Sequence, residues 1–183
     1  AGRLQDIFGR DNLFIELQDH GIPAQAETNP KLLALAKADR ERRKAKGWWN
    51  QYPQLTAQIE YVALEDIATE LRTWQLTFVP GLLQTADYAR ALAVGNGSWD
   101  DLDEIETFVE ARMARQARLG GERPLQLWAL LHEGAVRQLV GGRDVMRAQL
   151  EHLLEAAHLP NVRVQVVPFI AGAHPGMTCA FTV

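Results

Sequence analysis

The spacing of apolar residues predicts a chain built mainly of helices, with its strands gathered toward the C-terminus. Helical spacing, bounded by capping residues, glycines and prolines, predicts helices over residues 4–17, 31–46, 56–75, 85–93, 101–119, 133–140 and 144–158. Short apolar or alternating runs predict strands over residues 125–131, 162–169 and 178–183. The predicted fold class is therefore α+β, helix-rich, with a small β-sheet near the C-terminus.

Two long helices in the middle of the chain carry the clearest signals. Residues 56–75 are apolar nearly all round, which predicts a helix in the centre of the fold. Residues 101–119 begin with acidic and end with basic residues, as the helix dipole favours. Thr85 is the expected N-cap of the helix that follows it. Cys179 is expected to be a small buried residue of the last strand.

The N-terminal quarter has too few apolar residues to form a core by itself. The sequence therefore divides at residue 47, into a helical remnant or linker over residues 1–47 and a main domain over residues 48–183. The aromatic residues Trp48, Trp49 and Tyr52 stand at this boundary. They could form a dimer interface or pack on the core of the same chain, and the sequence leaves both open.

The chain has a net charge of −4, which argues against nucleic-acid binding by the chain as a whole. Residues 31–46 are the exception, with seven basic residues against two acidic ones, so any weak DNA binding is expected there. The longest uncharged apolar runs are too short to cross a bilayer. Cys179 is the single cysteine, which leaves no intrachain disulfide and makes a reducing, cytoplasmic location the default.

Catalytic and cofactor motifs do not match. Leu131-His132-Glu133 resembles the start of a zinc-protease helix, but Val136 stands where the second histidine must be. Gly95-Asn96-Gly97 lacks the third glycine of a dinucleotide-binding loop. We therefore expect no enzyme activity, no cofactor and no metal site.

One polar constellation stands out on the predicted helix over residues 101–119. Gln116 falls on its apolar stripe and Arg112 on the edge of that stripe, with Glu65 and Glu133 as candidate partners. A guanidinium turned toward a core needs a carboxylate or an anionic ligand. The residues therefore predict either a structural arginine–glutamate pair or a polar pocket. In both versions the four side chains converge, with His174 near the opening.

Several strings, read together, resemble one family. They are Tyr61-Val62-Ala63-Leu64-Glu65, Val79-Pro80-Gly81-Leu82-Leu83-Gln84-Thr85, Arg112 with Arg115-Gln116, Glu133 with Arg137, and Gly172-Ala173-His174-Pro175-Gly176. In this order they resemble the C-terminal domain of XRE-type helix-turn-helix transcriptional regulators of filamentous high-GC Gram-positive bacteria, often described as antitoxin-like. The resemblance covers about residues 48–183.

The resemblance implies a regulator whose DNA-binding domain comes first and is absent here, so that DNA would be bound only through that domain. Residues 4–17 are similar to the last helix of such a domain. The resemblance also implies a small partner protein encoded nearby, and regulators of this type commonly act as homodimers. It carries no catalytic residue over to this chain.

The leading hypothesis is a regulatory domain that binds a partner protein or a small-molecule effector, without enzyme activity or a membrane partner. The candidate ligand- or partner-binding residues are Glu65, Gln84, Arg112, Arg115, Gln116, Glu133 and His174. A small-molecule enzyme that uses Glu65, Glu133, Arg112 and His174 is the alternative from another class. A third hypothesis is a scaffold whose polar interior is only structural.

Overall fold

The structure is a computed structural model that describes residues 47–52, 55, 58–97 and 101–183. All of these belong to the second of the chain's two units, Arg43–Val183. The helices predicted over residues 4–17 and 31–46, and the basic segment within the second of them, lie outside the described residues.

Helices and strands alternate along the described part of the chain. The helices are α1 (Ile59–Ile67), α2 (Ala86–Asn96), α3 (Leu102–Arg115), α4 (Glu133–Arg137) and α5 (Arg143–Ala156). The strands are β1 (Glu70–Gln75), β2 (Gln126–His132), β3 (Val162–Val167) and β4 (Phe181–Thr182). The fold is α+β and helix-rich with a small four-stranded sheet, as the sequence predicts.

The strand order in the sheet is β3-β2-β1-β4. Strands β1, β2 and β3 run parallel, while β4 runs antiparallel to β1. Parallel neighbours need a crossover connection, and the helices supply it. Helices α2 and α3 connect β1 to β2, and α4 and α5 connect β2 to β3. The carboxyl ends of β1, β2 and β3 therefore lie at the same edge of the sheet.

The main core lies between one face of this sheet and helices α2 and α5. Alternate strand residues point into it, and α2 and α5 cover them with Tyr88, Met146 and Leu153. The sheet contributes Leu71, Leu127, Ala129, Leu131 and Val162. These side chains are nearly all excluded from solvent, with Leu131 and Tyr88 at 0% exposure. Burial of this apolar surface is the main force that holds the helices on the sheet.

A second apolar cluster contains the aromatic residues at the start of the described chain. Trp49 is buried in it with Leu55, Val62, Ala63 and Ala111, and Trp48 and Tyr52 pack at its edge. Packing on the chain's own core is therefore shown for Trp49, whereas Trp48 and Tyr52 are only partly buried and their role in a dimer interface stays a prediction.

The helix predicted over residues 56–75 is wrong in its second half. Helix α1 ends at Ile67, and β1 begins at Glu70 and pairs in parallel with β2. Glutamate, leucine, arginine and glutamine are good helix formers, so local preference favoured a continued helix. The buried neighbour β2 decides otherwise, because Thr73 and Trp74 suit a strand that is covered on both sides. In a helical projection, apolar residues cover every side of this segment because it contains a helix followed by a strand.

Smaller differences concern the ends of elements. Helix α2 runs on to Asn96, where Gly97 closes it with a φ of 62°. Helix α3 ends at Arg115 and continues as a 3₁₀ turn over Gln116–Leu119. Strand β4 is limited to Phe181–Thr182, and Cys179 is exposed in the loop before it rather than buried. The Thr85 cap is confirmed, since its hydroxyl accepts a hydrogen bond from the Tyr88 amide.

Three glutamines fix the loop that joins β1 to α2. Gln149 on α5 accepts from the Thr85 N–H at 2.8 Å and donates to the Leu83 carbonyl at 2.7 Å. Gln84 donates to the Val79 carbonyl at 2.6 Å, and Gln116 donates to the Gln84 carbonyl at 2.6 Å. Because these side chains satisfy backbone groups that no helix or strand pairs, the loop is held in one conformation beside the end of α3.

We expect Gln149→Leu to lower the free energy of unfolding by roughly 2–4 kcal/mol, because it leaves the half-buried Thr85 N–H and the buried Leu83 C=O without partners. Gln149 is fully buried, so water cannot replace the lost bonds. Gln138→Leu, the same change at an exposed position, should shift stability by no more than about 0.5 kcal/mol. Urea denaturation of the two variants compares them, and equal losses would contradict this role for Gln149.

Candidate functional site

A buried ion pair joins α1 to the end of α3. Arg115 Nε donates to Glu65 Oε1 at 2.8 Å, and Arg115 Nη2 donates to Glu65 Oε2 at 2.6 Å. The two side chains are only 4% and 2% exposed. Glu65 shares the buried face of α1 with Val62, and Arg115 ends the buried face of α3 that starts at Ile105. The bidentate geometry compensates both charges in an interior where either alone would be costly.

Tyr61 closes this pair from the side. Its ring lies 5.3 Å from the Arg115 guanidinium, at cation–π distance. Burial raises the pKa of the Tyr61 hydroxyl, and the negative charge of Glu65 raises it further. Burial opposes the charge on Arg115, but the hydrogen bonds and the charge of Glu65 outweigh it and raise the pKa of Arg115 above its usual range. Arg115 is therefore fully committed to groups of its own chain.

Arg112 lies one helical turn before Arg115 and has no such partner. Its guanidinium stands 4.6 Å over the Phe108 ring and packs on Gly81, where an added Cβ would lie 2.5 Å from Nη1. Its Nε is buried and has no hydrogen-bond partner, and no carboxylate among the described residues forms an ion pair with it. Arg112 thus carries a positive charge that this part of the chain does not neutralise.

The electrostatics of Arg112 follow from that geometry. Burial lowers its pKa to about 10, and the positive charge of Arg115 lowers it in the same direction. The carboxylate of Glu65 acts in the opposite sense, but it is already bonded to Arg115. At neutral pH the side chain is still protonated, since its pKa remains well above 7. An anion placed beside it would find an incompletely solvated cation.

The other polar groups of this region serve the backbone. Gln116 donates to the carbonyls of Gly81 and Gln84, at 3.3 and 2.6 Å. The Oε1 atom of Gln84 is buried and has no partner among the described residues. We call Gly81, Phe108, Arg112 and Gln116 the Arg112 site. In this site the guanidinium of Arg112 has no carboxylate partner among the described residues. It lies against the backbone of Gly81, where no side chain keeps it at a distance.

Glu133 and His174 belong to a different place, at the carboxyl ends of the parallel strands. Glu133 pairs with Arg137 and accepts from the Phe169 N–H at 2.6 Å. The Phe169 amide, followed by Arg137, holds the pKa of the Glu133 carboxyl below its usual range. His174 packs edge-to-face on Trp74, with ring centroids 5.4 Å apart. The expected convergence of Glu133 and His174 with Glu65, Arg112 and Gln116 is therefore wrong.

The arginine expected to pair with Glu65 is also corrected, from Arg112 to Arg115. The helical projection followed Leu102, Ile105, Val109 and Met113, but Leu102 is 74% exposed. The buried face of α3 also includes Phe108 and Ala111, which turns it toward Arg115. The position seven residues after Phe108 was the signal that could have identified Arg115 as the inward-facing arginine.

Other kinds of site find little support in the described part of the chain. No group of three or more His, Cys, Asp or Glu side chains there could hold a metal ion. Nor does any helix within the described ranges have the length and apolar character needed to cross a membrane.

Comparison with known families matches most of the chain. A family model described as "Domain of unknown function (DUF5753)" matches residues 58–183, which contain all the candidate site residues. Neither the curated proteins nor the solved structures give a match.

The two neighbouring arginines should respond differently to the same substitution. Arg115→Met should lower the free energy of unfolding by about 3–5 kcal/mol, because it leaves the Glu65 carboxylate buried and unpaired. Arg112→Met should change it by less than about 1 kcal/mol or raise it, because an unpaired, partly desolvated charge is removed. Denaturant titration measures both.

The variant Glu65→Leu combined with Arg115→Met is the internal control. It removes both charges, so it should recover most of the stability that Arg115→Met alone loses. A loss at Arg112→Met as large as that at Arg115→Met would contradict the assignment of the ion pair.

Proposed function

Since the chain belongs to the DUF5753 family, whose description names no function, we propose one from its own residues: a regulatory domain that binds an anionic effector through Arg112. The domain covers residues 48–183 and belongs to a helix-turn-helix transcriptional regulator that acts in the cytoplasm. DNA would be bound by an N-terminal domain of that regulator, and the effector would alter its assembly or its affinity for DNA.

The observation that carries the proposal is the contrast between two adjacent arginines. Arg115 has a bidentate carboxylate partner, whereas Arg112, on the same helix, has none among the described residues. A planar guanidinium recognises carboxylates and phosphates through paired N–H donors. The Arg112 side chain is only partly buried, so part of it is in contact with solvent.

Gly81 supports this role through its missing side chain. The Arg112 guanidinium occupies the space that a Cβ would need, so any larger residue would displace it. The glutamine-held loop keeps this backbone in place without a contribution from Arg112. The cation is therefore positioned by groups whose own hydrogen bonds do not depend on it, which is the arrangement that favours binding of a ligand without prior rearrangement.

The regulator class rests on the resemblance of residues 48–183 to the C-terminal domain of XRE-type regulators. A small partner protein encoded nearby is the second occupant that this resemblance allows, with an acidic side chain or C-terminus at Arg112. The alternative of a small-molecule enzyme has weaker support, because Glu65 is bonded to Arg115 and Glu133 to Arg137 and Phe169. Neither carboxylate is free to act as a general acid or base with Arg112.

Thermal unfolding in the presence of small anions tests the proposal. A panel of mono-, di- and tricarboxylates and phosphate esters should include at least one that raises the Tm of the natural chain. A ligand at 100 times its Kd adds about 2.7 kcal/mol of stability. For a chain of 183 residues that is a rise of several degrees.

Arg112→Gln and Gly81→Ala should both abolish this gain, the first by removing the cation and the second by displacing it. Arg137→Gln is the matched control and should keep the gain, since it removes an arginine of α4 that is 70% exposed and lies outside the Arg112 site. An unchanged gain in Arg112→Gln, or no gain with any anion in the natural chain, would refute the effector site. Stabilisation by a co-expressed partner protein alone, lost in Arg112→Gln, would identify the partner as the occupant.

A further inference from the structure

Strand β3 forms one edge of the sheet and pairs, within the described residues, only with β2. It has the sequence Val162-Arg163-Val164-Gln165-Val166-Val167. The strand contains no proline, no bulge and no inward-pointing charge, which are three of the features by which edge strands avoid further pairing. Its one charged side chain, Arg163, lies over the Trp128 ring of β2. An edge of this kind is a template for another strand.

The hydrogen bonds of β3 show which backbone groups face outward. The Asn161 carbonyl accepts from the Leu127 amide of β2, so it points into the sheet. Because successive peptide groups alternate in direction, the N–H and C=O groups of Val164 and Val166 point away from β2. The Val162 N–H also points away, and it bonds the Leu159 carbonyl instead of β2.

The side chains of β3 alternate with these groups in a pattern that is symmetric about Val164. Val162 and Val164 point into the core face under α5, and Val166, on the same face, is 47% exposed. Arg163 and Gln165 point to the opposite face, where the Arg163 guanidinium lies 4.5 Å from the Trp128 ring and Gln165 accepts from the indole N–H. An antiparallel copy of this strand can therefore match it residue for residue.

We propose that β3 is a homodimerisation edge, at which two copies of this chain join their sheets in antiparallel register about Val164. In this register Val164 faces the partner's Val164, and Val162 faces the partner's Val166. Arg163 faces the partner's Gln165, so no like charges are opposed. The outward N–H and C=O groups of the two Val164 residues then bond each other, and each Val166 N–H donates to the Val162 carbonyl of the other copy, while the Val162 N–H keeps its bond to Leu159. The two sheets become one continuous sheet.

Moving the dyad by one residue along the strand gives a less stable pairing in either direction. Centring on Arg163 would set the two arginines directly opposite each other, which is destabilising. Centring on Gln165 would leave Val162 opposite Pro168, which has no N–H to donate. A strand from an unrelated protein could also use this edge, but the valine symmetry about Val164 sets every side chain of a second copy opposite a compatible residue.

The test is the dimer dissociation constant of the full 183-residue chain, measured by sedimentation and light scattering over micromolar to millimolar concentrations. Val164→Pro removes the central outward N–H of each copy, and proline is tolerated on an edge strand where its nitrogen faces away from the sheet. It should weaken the dimer at least about tenfold, whereas Val164→Thr, which keeps the N–H and the branched shape, should leave it nearly unchanged.

Gln165→Glu is the register-specific variant. It keeps the oxygen that accepts from the Trp128 indole and adds a carboxylate opposite Arg163 of the second copy. Two such pairs should tighten the dimer roughly three- to thirtyfold at low salt, and 1 M salt should reduce the gain. Gln165→Glu combined with Arg163→Glu should weaken it instead, since the added charges then repel.

A monomer at all concentrations would overturn the proposal. So would a dimer that folded Val164→Pro leaves intact, because the interface would then lie elsewhere. If Val164→Pro fails to fold, the opposite effects of the two charge variants still decide the matter. Amide exchange at Val164 and Val166 that slows as the dimer forms would support it.

Discussion

The buried pair of Glu65 and Arg115 is the interaction on which the rest of the described structure depends. It ties α1, which precedes the sheet, to the end of α3, which leads into β2. Tyr61 extends the tie to β4, because its hydroxyl faces Thr182, and Thr182 meets Thr73 of β1 at 3.0 Å. A charged pair in an apolar interior tolerates few geometries, so it fixes how these elements fit together.

Because Arg115 bonds the Glu65 carboxylate, Arg112 has no carboxylate partner among the described residues. A single carboxylate is present on the buried face of α1, and one guanidinium takes both of its oxygens. The second arginine of α3 is left between Phe108 and Gly81, with its pKa lowered by burial and by its charged neighbour. Two arginines of α3 thus lie near a single buried carboxylate: Arg115 forms the structural pair with it, and Arg112 is left as the candidate ligand-binding group.

The loop of the Arg112 site and strand β3 both contact helix α5. Gln149 of α5 holds the loop that carries Gly81, and α5 also covers the face of β3 that contains Val162 and Val164. The regulation through assembly that we propose would require a rigid element in contact with both places. Helix α5 meets that requirement, because the fully buried Gln149 bonds the loop and the buried Leu153 packs in the core with Val162.

Local signals in the sequence determined the fold class, the Thr85 cap, α5 and the alternating valines of β3, because each follows from the periodicity or capping of neighbouring residues. The sequence also identified α3 as the helix with inward-facing polar groups. Only the tertiary structure decided that residues 70–75 form a strand, that Arg115 rather than Arg112 takes Glu65, and that Glu133 and His174 belong elsewhere. Each of these outcomes depends on contacts between residues far apart in the sequence, such as the pairing of β1 with β2 or of Arg115 with Glu65. Helical projection and residue spacing describe only neighbouring residues, so they do not predict such contacts.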